Sequence, residues 1–408
     1  MSNKNASVIF AALSLMATDR RPHSAVERRN LCIPGDSHRN TLMAEKKSIG
    51  IYLTSMSMGG AERVARNLCK GLVDLGYEVD LVLVDATGEL LDELPDPVSI
   101  VDLNASRVLR SLRPLREYLS TREPDILYSM MTEPNVVAIL AHRLSMTDSR
   151  LVVSEHNMLS HSSESMKDQL ARAGAWGLYP LADDVVAVSK GVRDDLVATT
   201  RLDSADISLI YNPVDVESIR KQASQPVNHE WLTDDSLDVV LAGGRHEPQK
   251  GFDTLLGAFS RIDAEDVRLV LFGTGPETTS LQTRAVALGI DDRVSFAGFV
   301  ENPFSYMGSA DVFVLSSEYE GFGLVLIEAL ACGCPVVSTD CESGPAEILE
   351  GGTYGPLVPV GDESALADAI TATLEDALDS DTLRGRADDF DIESSVAQYD
   401  SLFRSSGT

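Results

Sequence analysis

From Ser48 onward, short runs of Val, Ile and Leu alternate with stretches of helical periodicity, and after a polar interruption the alternation begins again. The first round holds "SIGIYLTS", then the helical "GGAERVARNLCKGLVDLG" expected to stop at Gly76, then "YEVDLVLV", "PDILYSMM", "RLVVSEHN", "ADDVVAVS" and "ISLIYN". Such runs are apolar throughout, as in strands buried on both faces of a parallel sheet. "KQASQPVNHEWLTDD" is polar and irregular and reads as a linker. The second round holds "LDVVLAGG", "VRLVLFGTG", "RVSFAGF", "ADVFVLSS", "CPVVSTD" and "YGPLVPV". The expectation is an α/β chain of two doubly wound parallel-sheet domains, residues 43–212 and 213–389. Residues 390–408 hold the amphipathic "FDIESSVAQYDSLF" and are expected to form a helix packing back on the first domain. A length of 408 residues suits two or three domains.

Residues 1–42 differ in character. Apolar "VIFAALSLMA" followed by basic, irregular sequence imitates a signal peptide, whereas "MAEKKSIGIYL" at 43–53 reads like a natural start running into the first strand. The leader is expected to be poorly ordered, and whether it is translated stays open. No run approaches the ~20 apolar residues that cross a bilayer.

The charge balance narrows the partners. There are 63 acids against 34 bases, a net charge of −29, which repels nucleic acid and anionic membranes at long range. A Lys-poor acidic surface suits concentrated salt, with an ordinary acidic cytosolic protein as the alternative. The five cysteines, Cys32, Cys69, Cys332, Cys334 and Cys341, form no disulfide framework and read as small buried residues of a reducing compartment. A cytoplasmic location is expected.

In doubly wound sheets ligands sit beyond the carboxyl ends of the strands. There "EYEGFGLVLIEALACG" makes a turn and a helix, with Gly333 as the stop. Gly321 and Gly323 allow close backbone approach, and the helix N-terminus favours phosphate. Glu320 falls in the turn. Glu328 lies on an otherwise apolar helix, so its charge needs a polar partner, for which a ribose diol is suited. Upstream, "GGRHEPQKGFDTLLGAF" places Arg245 and Lys250 between a strand and a helix starting near Phe252, two cations suited to a diphosphate. Gly59 and Gly60 follow the first strand in a loop that is neither G-x-G-x-x-G nor a Walker A loop, and His156 follows another strand end. Each also has a bland reading: solvated loop acids and cations, a turn, a structural histidine.

Together with "VAVSKGV", "IYNPVD", "LFGTGPE" and "GPAEIL", these stretches resemble the retaining glycosyltransferases of family 4, with the GT-B fold. The likeness runs from about Ser48 to the C-terminus. It implies two Rossmann-like domains facing an interdomain cleft, and transfer of a sugar from a nucleotide-diphosphate sugar with retention of configuration. Arg245 and Lys250 would hold the diphosphate and Glu328 the ribose. Glu320, Phe322 and Gly323 would face the transferred sugar and its phosphate, and Phe299 and Val300 would flank the base. Gly273 and Leu324 would also border the donor. Gly59 and Gly60 would close over the diphosphate, and His156 would touch the sugar near the acceptor. Glu155 and Asn157 depart from the hydrophobic or varied residues that often flank this histidine in the family. Neither a metal nor another cofactor is implied: Asp389 and Asp391 have D-x-D spacing but lie in the C-terminal tail, and cations with a helix tip can stabilise the leaving group.

The donor base, UDP or GDP, is not legible. A glycan or polyprenyl-phosphate-linked acceptor is expected. Segment 107–122, with Arg107, Arg110, Arg113, Arg116 and Arg122 among leucines, suggests peripheral contact with the inner face of the membrane; a solvated surface helix interrupted by Pro114 is the alternative. A sugar-nucleotide epimerase of the same architecture and an inactive nucleotide-sugar-binding protein are the competing functions.

Overall fold

A computed structural model describes residues 47–161 and 165–405, so the leader at 1–42 and Cys32 lie outside the described residues. The first sheet has strands β1 Ser48–Leu53, β2 Glu78–Leu83, β3 Ser99–Asp102, β4 Ile126–Met130, β5 Arg150–Glu155, β6 Asp184–Ala187 and β7 Ile207–Leu209. Their order is β3-β2-β1-β4-β5-β6-β7. The second has β8 Asp238–Gly243, β9 Val267–Phe272, β10 Val294–Gly298, β11 Val312–Leu315, β12 Val336–Thr339 and β13 Leu357–Val358, in the order β10-β9-β8-β11-β12-β13. Every strand pairing in both sheets is parallel. The two Rossmann-like sheets match the expected fold class. In each, the strand order reverses beside the first strand of the domain, β1 or β8, which opens a crevice there.

The patterning explains the layers. In the Gly60–Asp74 helix, Val64, Ala65, Leu68, Cys69 and Leu72 are buried, a 3.6-residue period facing the sheet. The helix ends at Leu75, and Gly76 takes φ +86° to turn the chain into β2. The helix at Leu324–Cys332 is apolar nearly all round and buried, with Gly333 at φ +79° stopping it. Pro114 does not interrupt the Leu112–Arg122 helix. It sits in the first turn, where its missing N–H costs no bond. Strand β3 escaped the sequence reading because it is a short edge strand with little burial.

The chain returns to its first half at the end. Helix Ile392–Arg404 buries Ile392, Val396, Tyr399 and Phe403 in the first domain's core, and the hydroxyls of Tyr399 and Tyr128 lie 3.0 Å apart. Gly71 makes room for this helix: a Cβ there would fall 2.6 Å from Val396.

Candidate active site

The carboxyl ends of the two sheets face each other across a narrow cleft. They come close at Gly321, where an added Cβ would lie 1.9 Å from the His156 carbonyl oxygen. That carbonyl belongs to the loop after β5, so only glycine fits the turn after β11 here. The Ser189 and Ser343 hydroxyls both lie on the Gly321 carbonyl, at 2.9 and 2.8 Å, and fix the turn from both domains. Glu347 extends this seam. Its carboxylate accepts the Lys190 and Gly191 amides at 2.9 and 3.3 Å and the Tyr211 hydroxyl at 3.1 Å, so an acid of the second domain caps a helix of the first.

The turn at 320–323 separates two cavities. The first, about 380 Å³, is lined from the second domain by Arg245, Gly273, Phe299, Val300, Leu324 and Glu328. From the first domain it is lined by Met58, Arg63 and Arg66, on or beside the helix that Gly59 and Gly60 open. The second, about 410 Å³, is lined by Thr132, Asn157, Met158 and Arg172 of the first domain, with Tyr319, Glu320 and Gly321 of the second. The walls of both therefore come from both halves of the chain.

Glycine shapes the floor of the first cavity. Gly244, at φ +145°, and Gly273, at φ +107°, line it, and Gly323, at φ +90°, directly precedes its lining residue Leu324; L side chains rarely adopt such conformations. A Cβ on Gly273 would also fall 1.9 Å from the Gly244 carbonyl oxygen. The Gly273 amide is committed to Gly298, at 2.6 Å, so Gly273 contributes shape rather than a free donor. Gly323 starts the Leu324–Cys332 helix without a side-chain cap, which leaves the tip to a ligand.

Charged groups pair beside the cavities, although Lys250 itself lines neither of them and Glu320 lines the second. Lys250 Nζ lies 2.6 Å from Glu320 Oε1, which also accepts the Ser317 hydroxyl at 2.7 Å. Lys250 and Glu320 are thus paired with each other. Arg245 is exposed and 3.3 Å from Glu247. It faces Glu62, whose carboxyl is pushed up by burial and pulled back by the field of Arg245. Glu62 in turn sits over Gly59, where a Cβ would come 2.2 Å from its Oε2. The glycine loop and Arg245 are therefore neighbours across the cleft, through Glu62. Glu328, 8 % exposed, receives Arg63 Nη1 at 2.9 Å. Gly60 packs against Leu324, with a Cβ there 3.6 Å from Leu324 Cδ1.

Two expected contacts are placed differently. Phe322 does not turn its ring to a sugar. The ring is buried, stacked on Tyr211 at 5.2 Å and edge-on to Phe390 at 5.8 Å, because an apolar ring gains more in the seam than in a polar cleft. His156 lines neither cavity. It is buried between them, Nε2 bonded to Ser154 Oγ at 2.8 Å, and burial pushes its pKa down to about 4, so it is neutral.

Sequence reasoning missed Arg63, Glu62 and Glu347 as cleft residues. All lie inside stretches already singled out, "GGAERV" and "GPAEIL". Arg63 is three residues beyond Gly60, hence on the same helix face. Among the described residues, no group of three His, Cys, Asp or Glu could hold a metal ion.

Comparison with known proteins agrees with this geometry. The family model described as Glycosyltransferase Family 4 matches residues 58–218, and the one described as Glycosyl transferases group 1 matches 237–376. A Mycobacterium leprae phosphatidyl-myo-inositol mannosyltransferase is 31% identical over 280 residues, 67% of this chain and 69% of the relative. The Campylobacter jejuni N-acetylgalactosamine-N,N'-diacetylbacillosaminyl-diphospho-undecaprenol 4-alpha-N-acetylgalactosaminyltransferase is 29% identical over 343 residues, 81% of this chain and 91% of the relative. Among solved structures, Anabaena HepE in complex with UDP and glucose aligns with a TM-score of 0.74 at 24% identity, covering 88% of this chain and 99% of that one; the likeness at that identity is one of fold. The chain belongs to glycosyltransferase family 4, the group 1 glycosyl transferases, and is a glycosyltransferase with two facing Rossmann-like domains.

Proposed function

We propose that the first cavity takes the nucleoside diphosphate of a sugar nucleotide, the second takes the acceptor, and the sugar passes between them beside Glu320 with retention and without metal. The observation that carries this reading is the position of the 320–323 turn: Glu320 opens on one cavity, while Leu324 and Glu328 open on the other. Phe299 and Val300 flank the base, Glu328 meets the ribose, and Arg245 with the uncapped helix tip meets the phosphates. Lys250 then leaves its exclusive pairing with Glu320 and shares its charge with the departing diphosphate. The bond from anomeric carbon to phosphate oxygen breaks, and the acceptor oxygen bonds to that carbon on the same face. Its proton goes to the departing phosphate oxygen, so no protein nucleophile is needed. Preorganised cations at developing charge are the main source of such rate enhancement.

HepE was solved in complex with UDP and glucose, and that likeness makes UDP the first donor base to try, with GDP second. The acceptor is a glycan on a lipid phosphate. The two relatives are named for diphospho-undecaprenol and phosphatidylinositol substrates. Val108, on the wall of the second cavity, belongs to the arginine-rich segment, so that segment edges the acceptor's entrance. Arg107, Arg110, Arg113 and Arg116 are exposed. None has an acidic partner among the described residues. Such a row suits an anionic surface at the inner face of the membrane. No described helix is long and apolar enough to cross it.

Lys250→Ala tests the donor site. Melting should be unchanged, while turnover of a UDP- or GDP-sugar chosen by thermal-shift screening falls about 10²–10³-fold, also in EDTA. Near-normal turnover removes the diphosphate role. Flotation with anionic liposomes tests the basic segment: replacing the four arginines with Gln should abolish binding at moderate salt.

A further inference from the structure

Glu155 ends β5 fully buried, and no Lys, Arg or His side chain among the described residues forms an ion pair with it. Its carboxylate is nonetheless saturated. It accepts the Thr132 hydroxyl at 3.1 and 3.0 Å, the Tyr179 hydroxyl at 2.7 Å and the His156 amide at 3.2 Å. The Asn157 amide adds a further backbone hydrogen bond. Tyr179 is held from its other side by Asn135 Nδ2 at 3.1 Å, which also donates to the Ser154 carbonyl at 2.8 Å. The groups fastened by Glu155 sit at the chemistry: Thr132 and Asn157 line the second cavity, and the His156 carbonyl abuts Gly321. A fully buried carboxyl without a cation is costly, and a purely structural role would be filled more cheaply by an amide or an apolar residue.

We propose that Glu155 is a positioning residue of the acceptor side: its carboxylate sets the Thr132 hydroxyl on the cavity wall and holds the His156–Asn157 backbone under the Gly321 turn, so that an acceptor hydroxyl is aligned with the anomeric carbon. This rests on the second cavity being the acceptor's. The ionised carboxylate has lone pairs for all its donors. A proton on it removes one acceptor position and forces a hydroxyl to turn. Burial pushes Glu155 up to about 7, drives neutral His156 down to about 4 and holds Tyr179 far above its usual range. The helix packed against it adds Thr132, Asn135 and the first-turn acid Glu133. Among the groups it touches, the carboxyl itself therefore changes charge near neutrality.

Two opposite pH trends follow. Positioning is complete when Glu155 is ionised, so turnover rises as pH passes through about 7. Stability runs the other way: the folded value lies above the unfolded one, so the contribution is full below about pH 4.3 and is lost as pH rises to about 7. The test uses the full chain and its E155Q and T132V variants. It follows the rate of nucleoside diphosphate release from the screened UDP- or GDP-sugar with water as acceptor, from pH 5.5 to 8.5, with titration of free UDP or GDP and melting against pH alongside. E155Q should lose turnover about tenfold to a hundredfold, lose the rising limb, and bind the free nucleotide within about twofold of wild type. T132V should lose several-fold and keep the limb. An E155Q profile that keeps the limb, or a loss of nucleotide affinity as large as the loss of rate, overturns the proposal. A wild-type chain inert to every sugar nucleotide sinks the donor reading instead, and melting then judges Glu155: a wild-type slope between about pH 4.3 and 7 that E155Q lacks supports it, and equal slopes overturn it.

Discussion

The loops at the carboxyl ends of the two sheets are built from different materials. In the second sheet, the turns after β8, β9 and β11 place Gly244, Gly273 and Gly323 at positive φ, and the backbone itself shapes the cavity. In the first sheet, the turn after β4 puts Met131 at φ +75°, and the groups that reach the cleft are side chains: Glu62 and Arg63 on one helix, Thr132 on another. A diphosphate presents the same geometry whatever sugar it carries, so a backbone cradle serves it. An acceptor varies, so on the proposed reading the second cavity, where Thr132 stands, rests on side chains that can be exchanged without rebuilding a turn, while Arg63 reaches over to the first cavity. The donor half should therefore fail abruptly on substitution, and the acceptor half by degrees.

Lys250→Ala is the sharpest probe of that contrast, because among the described residues Lys250 is the cation that forms an ion pair with Glu320. If Arg63→Met cost turnover as heavily as Lys250→Ala, the division between the halves would collapse. Gly273→Ala comes next. The substitution forces a φ of +107° on a residue with a Cβ and drives that atom to 1.9 Å from a backbone oxygen. A left-handed conformation alone costs about 1–2 kcal/mol, and the clash adds to it, so nucleotide affinity should fall at least about tenfold, with a lower melting temperature. Titration with UDP and GDP reads this directly, and unchanged affinity would show that the cradle is not the diphosphate's.

This division also decided what could be read from the sequence. Parallel sheets and the helix stop at Gly333 were legible because continuous apolar runs and glycine punctuation are local signals, whereas the stretch read as a linker begins inside the Val216–Ala223 helix. The positive φ of Gly323 was legible for the same reason. The ring of Phe322 was misplaced because the competition between a polar cleft and the Tyr211–Phe390 seam depends on residues more than sixty positions away. Glu328 shows the limit most clearly. An acid on an apolar helix signals a partner, and the chain supplies Arg63, 265 residues distant, before any ribose arrives.

That ion pair sharpens the comparison by joining its two sides. If donor binding draws Glu328 toward the ribose, Arg63 must share it or let go, and closure of the cleft is coupled to occupancy. Glu328→Gln and Arg63→Met should each raise the donor KM with a smaller change in kcat, and the double variant should be less than additive by about 0.5–3 kcal/mol, the range for side chains in contact. Strict additivity would mean that the two groups act independently once the nucleotide is bound.

The smallest effect is expected at Met131, and it tests the acceptor half on its own terms. A methionine at φ +75°, ψ 149° occupies backbone space that favours glycine, and such strain costs on the order of 1–3 kcal/mol. Met131→Gly releases that strain but frees the unfolded chain, at a cost of roughly 0.5–1 kcal/mol, and removes a half-buried thioether from the cavity wall. The gains and losses nearly cancel, so the melting temperature should move little and nucleotide affinity should not move at all. A large stabilisation would show that the side chain is kept there for function against the fold. A large destabilisation would mean that Met131 packs as core, and that the acceptor half is as rigidly specified as the donor half it is contrasted with.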